Sequence, residues 1–499
     1  MQTILTCGEM KELDSQTIEK IGVPSAVLME RAALSVYEEI ASRFSGGSVL
    51  CVCGSGNNGG DGVAVARLLY NAGFDAVIYM AGDPSHYTEE TSRQVKIAMN
   101  YGVPFVDGIE EGYDVIVDAV FGVGLSREVR GKYADLIEDI NGETAYKVAV
   151  DIPSGINGDT GQVMGVAVKS DLTVTFAYRK AGHLLYPGRI YCGETVCADI
   201  GIYASSHLPY ATSFEMNDLR HYFKRNPAGS KSDFGKVLCV TGSKGMCGAS
   251  YLSAAGALKV GAGMVMIRTT EENRIPLQTL FPEAMLSTAE NEEEDRRVFD
   301  WCDTVVLGCG LGTTEAAAAR ARWYLKACRE THKPVVIDAD GLNLISQNED
   351  MQEYLGSHTV LTPHPGEMSR LSGYSVKEIK NDPMLTAFSF AEKTGAVVVQ
   401  KDACTVTASP ENWVYLNSSG NCGMGTAGSG DVLAGIIGGI LAALSKRSPY
   451  SDLCKAAAAG VYLHGLAGDE AAEVKGKASM TATDIIEALP QVLIGLDKQ

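Results

Sequence analysis

Basic charge is in short supply in this chain, with 42 lysines and arginines against 61 aspartates and glutamates and a formal net charge of −19. No basic run offsets that excess, so a polyanionic backbone would be repelled and no nucleic acid is expected as a partner. Long apolar runs are missing too. None approaches the ~20 uninterrupted residues that a membrane helix needs. The opening Met1-Gln2-Thr3-Ile4-Leu5-Thr6 has no basic stretch followed by an apolar one. Neither secretion nor membrane insertion is expected, and a cytoplasmic location is. Thirteen cysteines occur, yet no pair has CxxC spacing and no Cys/His cluster has the spacing of a zinc site. An odd, scattered set reads as reduced thiols of a cytosolic enzyme.

Glycine, by contrast, is abundant: 55 in 499 residues. That fits a loop-rich α/β architecture with phosphate-handling turns better than a helical bundle, and the length calls for two domains. Apolar runs and helical periodicity alternate along the first half. Helices are expected at residues 9–21, 25–44 and 92–101. Strands are expected at 48–53, 76–80, 115–118, 148–151 and 172–176. A second series has strands at 236–241, 264–268, 304–307, 335–338, 359–361 and 397–400. The last hundred residues read as largely helical, broken by Ser448-Pro449. Such alternation implies two mostly parallel sheets with crossover helices. The join is expected in the polar stretch 204–215, giving domains 1–215 and 216–499.

Two glycine loops carrying an acid stand out. The first, Gly54-Ser55-Gly56-Asn57-Asn58-Gly59-Gly60-Asp61-Gly62, follows a strand and spells GxGxxG, with Asp83 where a ribose-binding acid could follow. Asp61 at the helix start opposes a pyrophosphate, and the absence of GK[ST] excludes a P-loop. Asp118 and Asp151 close two apolar strands, and the carboxyl ends of parallel strands converge on one crevice. Asn58, Asp118 and Ser154 would supply hard oxygen ligands for a cation, with Asp151 positioned for proton transfer. Capping of turns or helices is the alternative role for these strand-end acids.

Asn57-Asn58-Gly59-Gly60-Asp61-Gly62, Asp118-Ala119-Val120-Phe121-Gly122-Val123-Gly124-Leu125 and Asp151-Ile152-Pro153-Ser154-Gly155, in this order, resemble the NAD(P)H-hydrate epimerase family over roughly residues 1–215. The resemblance implies a Rossmann-like three-layer α/β/α sandwich. It implies that Asn57, Asn58, Gly59, Gly60 and Asp61, with Gly122, Val123, Gly124, Leu125, Ser126, Arg127 and Glu128, contact a hydrated nicotinamide nucleotide. It further implies a potassium ion on Asn58, Asp118 and Ser154, with Asp151 at the substrate. The expected reaction interconverts the R and S hydrates at C6 of the ring, where opening and reclosing the aminal needs proton shuttling.

The second loop, Gly425-Thr426-Ala427-Gly428-Ser429-Gly430-Asp431, opens a long apolar helix. A carboxylate beside unpaired helix N–H groups can accept a hydroxyl proton while those groups stabilise a transferred phosphoryl group. The alternative is a plain N-cap aspartate. The pattern resembles the ribokinase-like superfamily, whose GxGD acid is the catalytic base. Together with Thr362-Pro363-His364-Pro365-Gly366-Glu367, Gly308-Cys309-Gly310-Leu311-Gly312 and Gln400-Lys401-Asp402-Ala403-Cys404-Thr405, it resembles the ADP/ATP-dependent NAD(P)H-hydrate dehydratase family over roughly residues 225–495. The resemblance implies that Gly248 or Ala249, Gly310 and His364 contact the hydrated nucleotide. It implies that Lys401, Asp402, Ala403, Cys404, Thr405 and Gly430 hold the adenine nucleotide, and that Asp431 is the base. Cys309 stands where proline is usual and Asp402 where glycine is usual.

The resulting expectation is a bifunctional enzyme that repairs hydrated NADH and NADPH, with ADP as co-substrate. Magnesium would sit on the nucleotide phosphates, and a homo-oligomer is expected. The rival reading is a ribokinase-like kinase that releases a phosphorylated small molecule, its N-terminal domain serving only to bind.

Overall fold

Along the strand Ser48–Cys53, Val49, Cys51 and Cys53 bury into one apolar cluster and Leu50 and Val52 into another. Period-two alternation with both faces apolar is what a central parallel strand needs when helices cover each side. The computed structural model describes residues 1–203, 210–447 and 452–498. Its residues separate between Ala211 and Thr212 into two units, Met1–Gln2 going with the second. Residues 204–209 of the expected join, and Ser448-Pro449, lie outside the described residues.

The first unit holds a seven-stranded parallel sheet in the order Phe105–Val106, Asp75–Met80, Ser48–Cys53, Val115–Ala119, Tyr146–Val150, Leu172–Phe176, Glu194–Ala198. Helices Ser25–Arg43 and Asn57–Asn71 cover one face, and Lys132–Gly142 the other. The chain leaves Ser48–Cys53 toward one edge and returns on the other side at Val115–Ala119, so a crevice opens between the two strand ends. Gly54 stands at that point because a Cβ there would lie 2.1 Å from the Val120 carbonyl oxygen.

In the second unit, parallel strands run in the order Met285–Ser287, Met264–Arg268, Lys236–Val240, Thr304–Leu307, Val335–Ile337, Thr359–Leu361, Val397–Gln400. An antiparallel hairpin, Val406–Ser409 and Trp413–Leu416, extends this edge. The order reverses between Lys236–Val240 and Thr304–Leu307, which opens a second crevice at their carboxyl ends. Helix Ser429–Ser445 crosses helix Cys247–Lys259 at a close approach: a Cβ on Gly435 would meet the Ser253 carbonyl oxygen at 1.9 Å.

Several short strands, Gln2–Leu5, Phe105–Val106 and Met285–Ser287 among them, were not expected, and three further features differ from expectation. The helix expected at 9–21 is regular over Cys7–Gln16 and continues as one wide turn, Thr17–Ile21, stopped by Gly22 at φ 87°. The strand Glu194–Ala198 was not anticipated, because its half-exposed edge position requires no apolar alternation. The hairpin departs from a purely parallel sheet; it turns at Asn412, held at φ 59°. Among the described residues no helix is long and apolar enough to cross a membrane.

Gly54→Ala should lower the stability of the first unit by more than about 2 kcal/mol, because backbone cannot yield as a side chain can. Gly56→Ala, at φ −82° with open space around its Cβ position, should be near neutral. Urea unfolding of the two variants measures the contrast, and equal midpoints would refute the steric argument.

Candidate functional site

The crevice of the first unit has a volume of about 660 Å³, lined among others by Asn57, Asn58, Asp61, Val123, Arg127 and Asp151. A smaller recess of about 180 Å³ shares Asp61 and Asp151 and adds an apolar wall of Met10, Leu28, Met29 and Phe176. Asn58 is set against Gly122, where a Cβ would lie 3.1 Å from its amide oxygen. Gly124, Leu125 and Ser126 line the same cleft. Glu128 instead pairs with Arg130 at 2.6 Å in solvent. Gly59 and Gly60 are buried under Gly54 and Met29 and serve close packing. Asp83 caps the turn Pro84–His86 by accepting from the Ser85 N–H at 2.8 Å, which accounts for it without a ribose.

Asp118 is fully buried at its strand end. Its Oδ2 accepts from the Ser154 N–H at 2.7 Å and its Oδ1 from the Ser154 hydroxyl at 2.5 Å. Burial still pushes its carboxyl up to about 6, so an ionised Asp118 is short of positive charge. The Asn58 amide nitrogen is buried without a partner. A carboxylate, a hydroxyl and an amide oxygen form a hard donor set, and they fit a bound alkali cation.

Asp151 is handled differently. It sits at φ 67°, a strained conformation for a residue with a side chain. The neighbouring His183 helps hold it: His183 Nδ1 accepts from the Lys180 N–H at 3.0 Å, so Nε2 donates to the Asp151 carbonyl at 2.9 Å. Lys180, 1% exposed, places its Nζ 2.6 Å from Asp151 Oδ1, and the Thr175 hydroxyl donates to the same oxygen at 2.9 Å. Ile4 and Leu5 pair in parallel with Arg179 and Lys180 and fix the lysine's backbone. Burial pushes the Asp151 carboxyl up, but the ammonium and the hydroxyl outweigh it and the net shift is downward. Asp61 has no such cation: burial first, then Asp151 and Asp14, push it well above the usual carboxylate range. Two carboxyl groups on one cavity thus have proton affinities driven apart, the arrangement acid–base chemistry uses.

In the second unit Asp431 occupies the first turn of helix Ser429–Ser445, entered through Gly428 at φ 88°. Burial and then Asp338 push its carboxyl up to about 6, against the opposing pull of Cys309 and Lys401. The Cys309 Sγ and carboxylate oxygens of Asp338 and Asp431 lie within 4.8 Å of one another. Asp338 in turn accepts from Lys401 Nζ at 2.6 Å and from the Thr362 hydroxyl at 2.7 Å. A Cβ on Gly430 would lie 3.2 Å from the same Nζ, so the ammonium faces the helix start. His364 caps helix Pro365–Ser372 and has Glu367 Oε1 3.5 Å from its Nε2. Burial, then Lys401 and Arg370, lower its pKa. Burial raises Glu367 to about 7.

A cleft of about 530 Å³ runs from His364 and Lys401 past Ala403, Thr405 and Asn417 to Gly430. Asp402 edges it and turns back to cap the Ala403 N–H at 2.9 Å. The Cys404 side chain points away, its thiol on the Asn417 carbonyl at 3.3 Å, leaving that residue only its backbone to offer. Ala249 packs on Gly310, while Gly248 has open space around it.

Sequence reasoning missed Lys180, Thr175 and Asp338. Asp338 closes a strand as Asp118 and Asp151 close theirs, and that signal could have found it. Lys180 could have been noticed in the charged pair Arg179-Lys180 between apolar segments; its partner could not.

Comparison with known proteins gives two family models. One described as YjeF-related protein N-terminus matches residues 25–182, and one described as NAD(P)H-hydrate dehydratase matches residues 237–491. The chain is similar to a bifunctional NAD(P)H-hydrate repair enzyme of Thermofilum pendens, 38% identical, with 98% of this chain and 96% of that protein covered. It is similar also to one of Moorella thermoacetica, 36% identical, covering 99% and 97%. A solved ribokinase-like superfamily protein from Enterococcus faecalis is 28% identical with a TM-score of 0.52, over 59% of this chain and 99% of its own.

A carboxyl with a lowered pKa contributes stability above its ordinary value near 3.8 that is lost as pH falls through the folded value. Lys180→Met removes the cause and leaves Asp151 buried alone. The variant should lose about 3 kcal/mol at pH 7 and less at pH 5, where the stranded carboxyl takes up a proton. Urea unfolding at the two pH values checks this; an equal loss at both would contradict the ion-pair account.

Proposed function

The chain belongs to the family of bifunctional NAD(P)H-hydrate repair enzymes, and on that premise we propose how its residues divide the work. The first unit epimerises the R and S hydrates of NADH and NADPH. The second dehydrates the S hydrate, consuming ADP and releasing AMP and phosphate. The observation that carries the second assignment is Asp431 beside the free N–H groups of a helix start that faces Lys401.

In the epimerase, the hydrate's C6 carries a hydroxyl next to the ring nitrogen. Losing and regaining that hydroxyl on opposite faces needs a proton given and a proton taken. Asp151, kept ionised by Lys180, is the base nearest the recess, and the apolar wall of Met10, Met29 and Phe176 suits the ring. Asn57, Asp61 and the segment 122–127 line the path for the rest of the nucleotide. Potassium would be held by Asn58, Asp118 and Ser154, where its charge would compensate the buried Asp118 and fix the loop ends.

In the dehydratase, Asp431 removes the proton of the ring hydroxyl, which attacks the terminal phosphoryl group of ADP. The helix N–H groups and Lys401 meet the charge that develops on the transferring group. AMP leaves, and loss of phosphate together with a ring proton restores the double bond. Ala249, Gly310 and His364 border the hydrate's side, and Lys401, Ala403, Thr405 and Gly430 the nucleotide's. Magnesium would be carried on the nucleotide's own phosphates, as is usual for this ion.

Asp151→Asn should abolish R-hydrate consumption beyond the spontaneous rate and leave S-hydrate repair intact, while Asp431→Asn should cut S-hydrate dehydration by about 10³-fold or more with ADP still bound. Free phosphate, AMP and recovered reduced-nicotinamide absorbance measure both. A stable phosphorylated product would establish a kinase instead.

Potassium, added in place of tetramethylammonium, should raise the melting temperature of the intact chain but not of Asp118→Asn. A variant with the full rise would remove Asp118 from the cation site.

A further inference from the structure

Asp402 lies on the wall of the second unit's cleft and takes no part in the roles assigned above. It belongs to the turn 401–405, between strands Val397–Gln400 and Val406–Ser409, where Gln400 pairs with Val406. Both ends of that turn are fixed. The Lys401 N–H donates to the Pro363 carbonyl at 2.8 Å, and the Asn417 N–H donates to the Thr405 carbonyl at 3.0 Å. The backbone therefore keeps Asp402 beside Lys401, Ala403 and Thr405 on the same wall.

Its carboxylate does two things there. Oδ1 accepts from the Ala403 N–H at 2.9 Å, and so occupies a backbone donor of the kind that suits a phosphate oxygen. It also adds a negative charge to the wall. Lys380 Nζ stands 4.0 Å from Asp402 Oδ2 with both side chains in solvent, and a pair of that kind neutralises little. Among the described residues that line the cleft, Lys401 is the single lysine or arginine, and Asp338 holds its ammonium at 2.6 Å. The cleft has little spare positive charge, so each further phosphate meets Asp402 with no cation of the chain to answer it.

We infer that Asp402 limits the phosphate count of the co-substrate: its carboxylate keeps the Ala403 N–H and repels extra negative charge, so a nucleoside diphosphate is used in preference to a triphosphate. The inference rests on the reading that a phosphoryl group is transferred beside Asp431 and Lys401. Whichever nucleotide binds, its terminal group must reach Asp431, so the extra phosphate of ATP stays in the same cleft. The alternative is a plain turn cap. Asparagine serves as well for a cap, because its side-chain oxygen also accepts an N–H. It cannot serve as a charge filter.

The test is kcat/KM for ADP and for ATP, at saturating S hydrate and magnesium, in the parent chain, Asp402→Asn, Asp402→Gly and Asp402→Glu. The quantity read is the ADP-to-ATP ratio, in which a general loss of activity cancels. The parent ratio should favour ADP. Asp402→Asn should lower it about fivefold, the size of one unit-charge repulsion over several ångströms in a partly wet cleft. Asp402→Gly should lower it at least as far, and Asp402→Glu, which keeps the charge, should stay near the parent. Added salt should shrink the ratio of the parent more than that of Asp402→Asn, since screening acts on the charge.

A parent that prefers ATP, an unmoved ratio in Asp402→Asn, or a glutamate variant that falls with it overturns the inference. A parent that turns over with neither nucleotide overturns the dehydratase reading beneath it, which separates the two failures. Should a variant be too slow to assay, calorimetric titration with ADP and with ATP, each with magnesium, gives the ratio from binding. An unmoved ratio there is again the contrary result.

Discussion

A strand buried on both faces can offer a polar side chain to a cleft only where it ends. That constraint governs both units. Asp118 stands one residue before the end of an apolar strand, and Asp151, Asp338, Thr362 and Lys401 just beyond the last residue of theirs. Parallel pairing lines these ends up on one side of each sheet, and the reversal of strand order leaves a crevice there rather than a helix. Everything reactive is therefore close to the core, and each carboxyl group feels burial before it feels anything else.

What separates the groups is what answers that burial. Asp151 has a cation of the chain's own, Lys180, 2.6 Å away and more deeply buried than itself. Asp118 has only hydroxyl and amide neighbours and fits a borrowed cation. Asp431 lies between these cases, beside an ammonium that is already committed to Asp338. A base that must be ionised yet must take a proton readily sits better in this intermediate setting than beside a lysine of its own. The three electrostatic solutions thus follow the three tasks proposed: holding an ion, standing charged beside a ring, and accepting a proton near neutrality.

Most central strands, and the reactive ends at Asp118, Asp151 and Lys401, were legible in the sequence, because apolar runs closed by a charged residue or a glycine are local patterns. Helix starts were legible for the same reason. Lys180 was not, since its burial depends on Ile4 and Leu5 from the far end of the unit running beside it. The strand Glu194–Ala198 was not, because an edge position imposes no apolar period. That Cys309 and Asp338 come close to Asp431 was out of reach as well: the chain wanders through several strands between them, and no local spacing records which turn a helix start will face.

The two glycine loops also part company in three dimensions. In the first, glycine is required by contact: Gly54 clears Val120, Gly59 clears Gly54, and Gly62 clears Ala119 and Cys53. Two glycines of its GxGxxG spelling, Gly54 and Gly59, thus arise from packing a helix tightly against two strand ends, while Gly56 has open space around it. In the second, Gly428 supplies the left-handed entry to the helix and Gly430 keeps the space before Lys401 open. A dinucleotide fold and a phosphoryl-transfer fold can share a spelling. They differ in whether the glycines bring the chain together or keep a ligand's approach clear, and only the second kind leaves N–H groups for an anion.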